Sequence, residues 1–168
     1  MKKIYLAGPS VFYPNWKEVS EELKSLCYKH GFEPLYPLDN KITGDTPLDI
    51  ATKIAKSNVA MIQEADAIIA DITEFHGTSM DVGTAFEVGM AIQRGIPVVT
   101  YTDGARENYK ERIAKKEEIR ELDNGDIVDS KGMTVENFGL QENLMISALS
   151  EYTNKGARGA IEILKSIL

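Results

Sequence analysis

Residues 67–71, Ala-Ile-Ile-Ala-Asp, decide the fold, because an apolar run of this length that ends in a carboxylate is typical of a strand buried on both faces. Apolar runs at residues 3–7, 33–36 and 97–101 repeat the signal. Amphipathic stretches with helical spacing separate them, as in parallel sheets with crossover helices. We therefore predict an α/β fold: an open, mostly parallel, twisted sheet of the flavodoxin or Rossmann kind with flanking helices, in a single domain over residues 1–168.

Capping and stop residues bound the helices between these strands. The predicted limits are Asn15 to Gly31, Thr46 to about Glu64, and Asp81 to Arg94 before Gly95. The highly charged residues 103–135 are predicted to form an insertion or lid with one helix near 109–120. The alternatives are an assembly surface or a solvated segment without a role. Apolar helical segments near 141–149 and 156–168 close the chain.

The composition limits the class of partner. The chain has 168 residues and a net charge of −7, which disfavours nucleic acid and anionic membranes. Its single cysteine, Cys27, fits a reducing compartment, and the apolar run at residues 4–7 is too short for a signal peptide or a membrane span. We expect a cytoplasmic protein with no nucleic-acid partner and no membrane partner.

Several motifs of enzyme chemistry are absent. Gly8-Pro9 lacks the spacing of a phosphate-binding loop or of a dinucleotide fingerprint. The two histidines, His30 and His76, have no partner at metal-ligand spacing. No nucleophilic serine motif occurs either. We therefore expect no metal and no cofactor, which leaves carboxylate chemistry.

Glu87 is the strongest candidate for that chemistry. On a helix it shares a face with Gly83, Thr84, Met90 and Ala91, none of which is a cation. Beside a crevice this face would leave the carboxylate partly desolvated and unpaired, which suits a nucleophile or an acid/base group. An exposed, solvated glutamate on a closely packed helix is the alternative.

Two aspartates have equally open roles. Asp71 ends its strand at the carboxyl edge of the sheet, where ligands of such folds bind, near the Gly8 turn. It could instead fix the loop that follows. Asp81 could contact a ligand or cap the helix that carries Glu87.

Four separated segments carry a family resemblance. They are Ile-Tyr-Leu-Ala-Gly-Pro at residues 4–9, Pro-Leu-Asp-Asn at 37–40, Asp-Val-Gly-Thr-Ala-Phe-Glu-Val-Gly at 81–89 and Asn-Leu-Met at 143–145. In order and spacing, from residue 3 to about 150, the chain resembles the nucleoside 2-deoxyribosyltransferase family.

The resemblance implies an exchange of 2-deoxyribose between nucleobases, with 2′-deoxynucleosides and free bases as partners. Glu87 would attack the anomeric carbon and form a covalent glycosyl-enzyme, with net retention. Tyr5 would hold that carboxylate, and Asp81 would bind the sugar 5′-hydroxyl. Asn143 would help from a neighbouring subunit, with Met145 flanking the pocket, so the resemblance implies a homo-oligomer, at least a dimer.

Position alone makes Gly8, Asp71 and Gly83 further candidates for substrate contact, since Gly8 and Asp71 border the crevice and Gly83 shares the helical face of Glu87. The resemblance includes one departure. Asn58 stands where some family members carry an aspartate that handles the base, and an amide cannot supply a proton. Asp81 then becomes the better candidate for the proton donor.

Two other functions remain as alternatives. A 2′-deoxynucleoside 5′-monophosphate N-hydrolase of the same superfamily would use the same nucleophile, but the carboxylate of Asp81 would repel its phosphate. A nucleoside-binding module without turnover would not need Glu87, Tyr5 and Asn143, which are all present. The sequence leaves purine against pyrimidine preference open.

Overall fold

The computed structural model describes residues 1–168 and contains a five-stranded, fully parallel sheet. The strands of this sheet are β1 (Lys2–Ala7), β2 (Phe32–Leu35), β3 (Ala67–Asp71), β4 (Val98–Tyr101) and β7 (Glu151–Thr153), while β5 (Arg120–Glu121) and β6 (Ile127–Val128) form a short separate hairpin. The strand order of the sheet is β2-β1-β3-β4-β7. The prediction of an open parallel α/β sheet in a single domain is confirmed.

Helices cover both faces of the sheet. The helices are α1 (Trp16–Lys29), α2 (Pro47–Glu64), α3 (Val82–Arg94), α4 (Tyr109–Ala114), α5 (Leu144–Ser147) and α6 (Gly156–Ile167). Alternate side chains of β1 divide between two cores, as the pleat of a strand requires. Ile4 and Leu6 pack with residues of α1 and α6, whereas Tyr5 and Ala7 pack with residues of α2 and α3.

The strand order reverses between β1 and β3, which is where ligands bind in open α/β sheets. Gly8 follows β1 and Asp71 ends β3 at this point. A Cβ atom on Gly8 would lie 2.8 Å from the Asp71 Cβ, and the φ of Gly8 is 153°. Only glycine therefore fits, and the two chain segments approach closely at the crevice.

Several predicted elements were wrong in detail. The expected helix near 109–120 ends at Ala114, and the one near 141–149 is limited to Leu144–Ser147. The fifth strand, β7, was not predicted, because its three residues Glu-Tyr-Thr show no apolar run. Asn15 precedes α1 as expected but makes no side-chain capping hydrogen bond.

The charged residues 103–135 contain α4 and a small antiparallel hairpin of β5 (Arg120–Glu121) and β6 (Ile127–Val128). Arg112 on α4 donates to the Thr78 carbonyl oxygen, and Lys116 donates to that of Gly77. These bonds attach the segment to the loop that precedes α3. No helix of the structure is long and apolar enough to cross a membrane.

Candidate active site

Glu87 and Tyr5 form the centre of the site. Glu87 lies in the middle of α3 and is half-buried. Tyr5 is fully buried in β1 on the face that α3 covers, and its hydroxyl donates to Glu87 Oε1 at 2.6 Å. No cation pairs with Glu87, and its Oε2 accepts no hydrogen bond in the structure. One carboxylate oxygen is therefore held, and the other is free to react.

An apolar cavity of about 370 Å³ opens beside this carboxylate, between α2 and α3. Asn58 on α2 and Gly83 on α3 line it together with Glu87. The Asn58 amide Nδ2 donates to Glu87 Oε1 at a long 3.4 Å, while Asn58 Oδ1 is buried without a partner. The structure thus brings Tyr5, Asn58, Gly83 and Glu87 into one site.

Burial raises the pKa of Glu87 to about 7. The Tyr5 hydroxyl opposes this shift by stabilising the carboxylate, the negative charge of Asp81 adds to it, and the Asn58 amide opposes it weakly. Burial and the charge of Glu87 in turn raise the pKa of Tyr5 far above its ordinary value, so Tyr5 stays a hydrogen-bond donor. A carboxyl group with a pKa near neutrality suits nucleophilic or acid/base work.

Asp81 serves as the N-cap of α3. Its Oδ2 accepts from the Thr84 backbone N–H at 2.8 Å and from the Thr84 hydroxyl at 2.9 Å. A Cβ atom on Gly83 would lie 3.0 Å from the same oxygen. The second oxygen, Oδ1, accepts no hydrogen bond from the protein. The capping role is therefore present, and it leaves one oxygen available to a ligand.

Asp71 fixes the loop after β3, which was the alternative for this residue. Its Oδ1 accepts from the Thr73 backbone N–H at 2.9 Å and from the Thr73 hydroxyl at 2.5 Å. Burial and the charge of Asp71 raise the pKa of Tyr13 and of Tyr101, which places both phenols close to this carboxylate. Asp71 and the neighbouring Gly8 thus form the part of the crevice at the strand ends.

Asn143 and Met145 lie apart from this cavity. Asn143 caps α5 by accepting from the Met145 N–H at 3.0 Å, and its Nδ2 donates to Glu136 at 2.6 Å. The Met145 side chain is 61% exposed. Within one chain these two residues do not complete the site around Glu87.

Sequence reasoning missed most of the apolar wall of the cavity. Phe86 on α3 is 65% exposed and lines the cavity together with Ile54 and Val59 of α2. The residues predicted to share a helical face with Glu87 lie in two environments. Gly83 and Met90 line the cavity, whereas Thr84 and Ala91 are buried. The helical spacing of the α2 residues was visible in the sequence, but spacing does not distinguish a cavity wall from a packed core.

Comparison with known proteins gives concordant results. The model of the family described as nucleoside 2-deoxyribosyltransferase matches residues 4–145. The solved 2-deoxyribosyltransferase from Leishmania mexicana is 31% identical, with a TM-score of 0.73 over 99% of this chain and 98% of that chain. An uncharacterized protein of Schizosaccharomyces pombe is 29% identical over 156 residues, or 84% of this chain and 74% of the relative.

A conserved protein from Enterococcus faecalis V583 shares the fold, with 22% identity and a TM-score of 0.62 over 100% of this chain and 99% of that chain. The fully parallel sheet, with helices on both faces, defines the class of open α/β proteins that bind ligands at the carboxyl ends of their strands. Within it, the chain belongs to the nucleoside 2-deoxyribosyltransferase family.

Proposed function

We propose that this enzyme transfers 2-deoxyribose between nucleobases through a covalent glycosyl-enzyme on Glu87. The observation that supports this most directly is the half-buried Glu87 carboxylate, which pairs with no cation and is held through Oε1 by the Tyr5 hydroxyl at 2.6 Å. A buried cation at this position would neutralise the nucleophile and also repel the positive charge that develops on the sugar. Because no cation pairs with Glu87, neither effect arises in this site.

The chemistry proceeds in two displacements. Glu87 Oε2 forms a bond to the anomeric carbon as the bond from that carbon to the base nitrogen breaks, and the base leaves with its electron pair and takes up a proton. A second base then attacks the same carbon and loses a proton, and the bond to Oε2 breaks. Two inversions give net retention, and water in place of the second base gives slow hydrolysis.

The proton for the departing base comes from Asp81 in this proposal. The Asn58 amide can donate or accept a hydrogen bond but has no proton to transfer. Asp81 retains a free Oδ1 while its Oδ2 caps α3. In this proposal the same oxygen also binds the sugar 5′-hydroxyl, so Asp81 has both roles.

The active form in this proposal is a homo-oligomer, at least a dimer, in which Asn143 and Met145 reach the site of a neighbouring chain. Their absence from the lining of their own cavity supports this arrangement. Exposed apolar residues on α2 and α3 and in or just after α5 provide surface for such a contact, and they include Leu48, Val82, Phe86, Leu144, Met145 and Leu149.

The substrates proposed are 2′-deoxynucleosides and free bases, as in purine salvage in the cytoplasm. The lining of the cavity contains no lysine or arginine, which disfavours a 5′-phosphate donor. The free thiol of Cys27 is buried and its pKa is raised to about 12, so it takes no part in the chemistry.

The test is base exchange. The protein is incubated with deoxyinosine and adenine, and deoxyadenosine and hypoxanthine are followed by chromatography. Glu87→Ala should abolish exchange, whereas Glu162→Ala, an exposed glutamate on α6, should leave it unchanged. Incubation with donor alone should add one deoxyribosyl group to the intact protein, detected by mass spectrometry, and Glu87→Ala should not be modified.

Two results would contradict the proposal. Release of base from deoxyinosine 5′-monophosphate alone, without exchange, would show the hydrolase instead. Lack of reaction with purine donors, with pyrimidine donors and with the monophosphate would favour the nucleoside-binding module.

A further inference from the structure

Glu142 is a buried carboxylate that the proposed reaction does not use. Its side chain is 1% exposed, and its Oε1 accepts from Arg106 at 2.6 Å and from Arg112 at 3.0 Å. The same oxygen accepts from the Met80 backbone N–H at 3.0 Å, and Oε2 accepts from the Ser79 hydroxyl at 2.6 Å. Both oxygens therefore accept hydrogen bonds from the protein.

These contacts join two segments that are far apart in sequence. Ser79 and Met80 lie immediately before Asp81, the N-cap of the helix that carries Glu87. Glu142 itself lies immediately before Asn143, the N-cap of α5. One side chain thus connects the segment that sets Asp81 with the segment that sets Asn143.

We propose that Glu142 is a positioning residue, which sets Asp81 in its own subunit and Asn143 for the neighbouring subunit so that both bind the sugar 5′-hydroxyl. This inference rests on the function proposed above. The bond to the Met80 N–H fixes the backbone one residue before Asp81, and a displacement there moves the free Oδ1. Small displacements of this kind are costly, since an error of about 1 Å lowers a rate by about 100-fold.

The two arginines serve the carboxylate rather than a ligand. Arg112 also donates to the carbonyl oxygens of Thr78 and Glu107, so its guanidinium is satisfied by the loop and by its own segment. The Nε and Nη1 of Arg106 are buried and have no hydrogen-bond partner, and its Nη2 donates to Glu142. The cluster connects two segments of the fold. Because it lies beside Asp81 and Asn143, it affects how these residues bind the sugar 5′-hydroxyl.

The experiment compares two donors that differ only at the 5′-position, 2′-deoxyadenosine and 2′,5′-dideoxyadenosine, with hypoxanthine as acceptor. Glu142→Gln keeps the shape of the side chain and removes its charge. Ser79→Ala removes one hydrogen bond and leaves both ion pairs intact, so it provides a variant with an undisturbed core. Asp129→Asn is the matched control, because Asp129 is a buried carboxylate that accepts only from the Lys131 and Met133 backbone N–H groups.

We expect Glu142→Gln to lower kcat/KM for 2′-deoxyadenosine by about 10- to 100-fold and Ser79→Ala by about 3- to 10-fold. With the 5′-deoxy donor, both losses should be smaller, because the contact with the 5′-hydroxyl is missing, and the loss that remains reflects proton donation by Asp81. Asp129→Asn should change kcat/KM for both donors by the same factor or leave both values unchanged.

Equal losses with the two donors for both variants would overturn the inference, because they would show that neither variant acts through the 5′-hydroxyl contact. The inference would also be overturned if the ratio of kcat/KM between the two donors were the same for Glu142→Gln and Ser79→Ala as for Asp129→Asn. If Glu142→Gln does not fold, the ratio between donors for Ser79→Ala decides alone. A wild-type protein inactive with 2′-deoxyadenosine would instead remove the proposed function, and the inference with it, so the wild-type and variant arms separate the two failures.

Discussion

The ionisation of Glu87 determines how the site responds to pH. Burial places the pKa of this carboxyl group at about 7, above that of a solvated glutamate. The nucleophile is the carboxylate, so protonation below this value removes activity. We expect kcat/KM of the wild-type protein to show an ascending limb near pH 7, in initial rates of base exchange from pH 5 to 9. A flat profile across this range would contradict the assigned nucleophile.

Tyr5 should also affect the pKa of Glu87. Tyr5→Phe removes the hydrogen bond to Glu87 Oε1, which favours the ionised form, and leaves the buried ring in place. We expect the pH profile to move upward by about one unit, with a rate at pH 7 that is about fivefold lower. Tyr36→Phe is the control, since Tyr36 is also buried and its hydroxyl bonds to Ser10 rather than to the site. An equal effect of both changes would show loss of packing, not loss of the bond.

At the scale of the element, α3 depends on Asp81 for its first turn and the proposed reaction depends on it for recognition. The two roles separate by substitution. Asp81→Asn keeps an oxygen that can cap the Thr84 N–H, whereas Asp81→Ala removes the cap. We expect Asp81→Ala to lower the free energy of unfolding by about 1 kcal/mol and Asp81→Asn by only a few tenths, in urea titrations.

Both Asp81 variants should lose activity, by about 10-fold or more in kcat/KM, because neither retains a carboxyl group. Both should also move the ascending limb of the pH profile to lower pH, since the charge of Asp81 raises the pKa of Glu87. Full activity in Asp81→Asn would assign Asp81 to capping alone.

At the scale of the whole molecule, the placement of Asn143 predicts sites shared between subunits. Glu87→Ala and Asn143→Ala should each be inactive or nearly so as pure proteins. After unfolding and refolding together in equal amounts, mixed dimers regain one complete site, from Glu87 of one chain and Asn143 of the other. Random assortment predicts about a quarter of the wild-type activity.

The control for this mixture is Glu87→Ala refolded with Glu87→Gln, which should regain nothing because no chain supplies the nucleophile. Failure of the first mixture to exceed this control would show that each chain completes its own site. Sedimentation of the wild-type protein as a monomer under assay conditions would also show that sites are not shared between subunits.

The sequence by itself determined the sheet and most of its boundaries. The apolar runs predicted four of the five strands, and the caps at Thr46 and Asp81 bound α2 and α3 as expected. Helical spacing also placed Gly83 and Met90 on the face of Glu87 and showed that no cation lies there. These features could be predicted because burial periodicity and capping depend on residues within a few positions of each other along the chain.

The tertiary structure alone decided what depends on distant partners. β7 is a strand because β4 pairs with it, although its own residues have no strand pattern. Tyr5 reaches Glu87 across 82 positions only because β1 and α3 pack face to face. Glu142 appears in the sequence as one more acid of a charged chain, and its burial follows from two arginines and a loop that folding brings to it. Local patterns carry no information on such pairings, because the energy of a buried charge or an edge strand is set by neighbours that only the folded chain supplies.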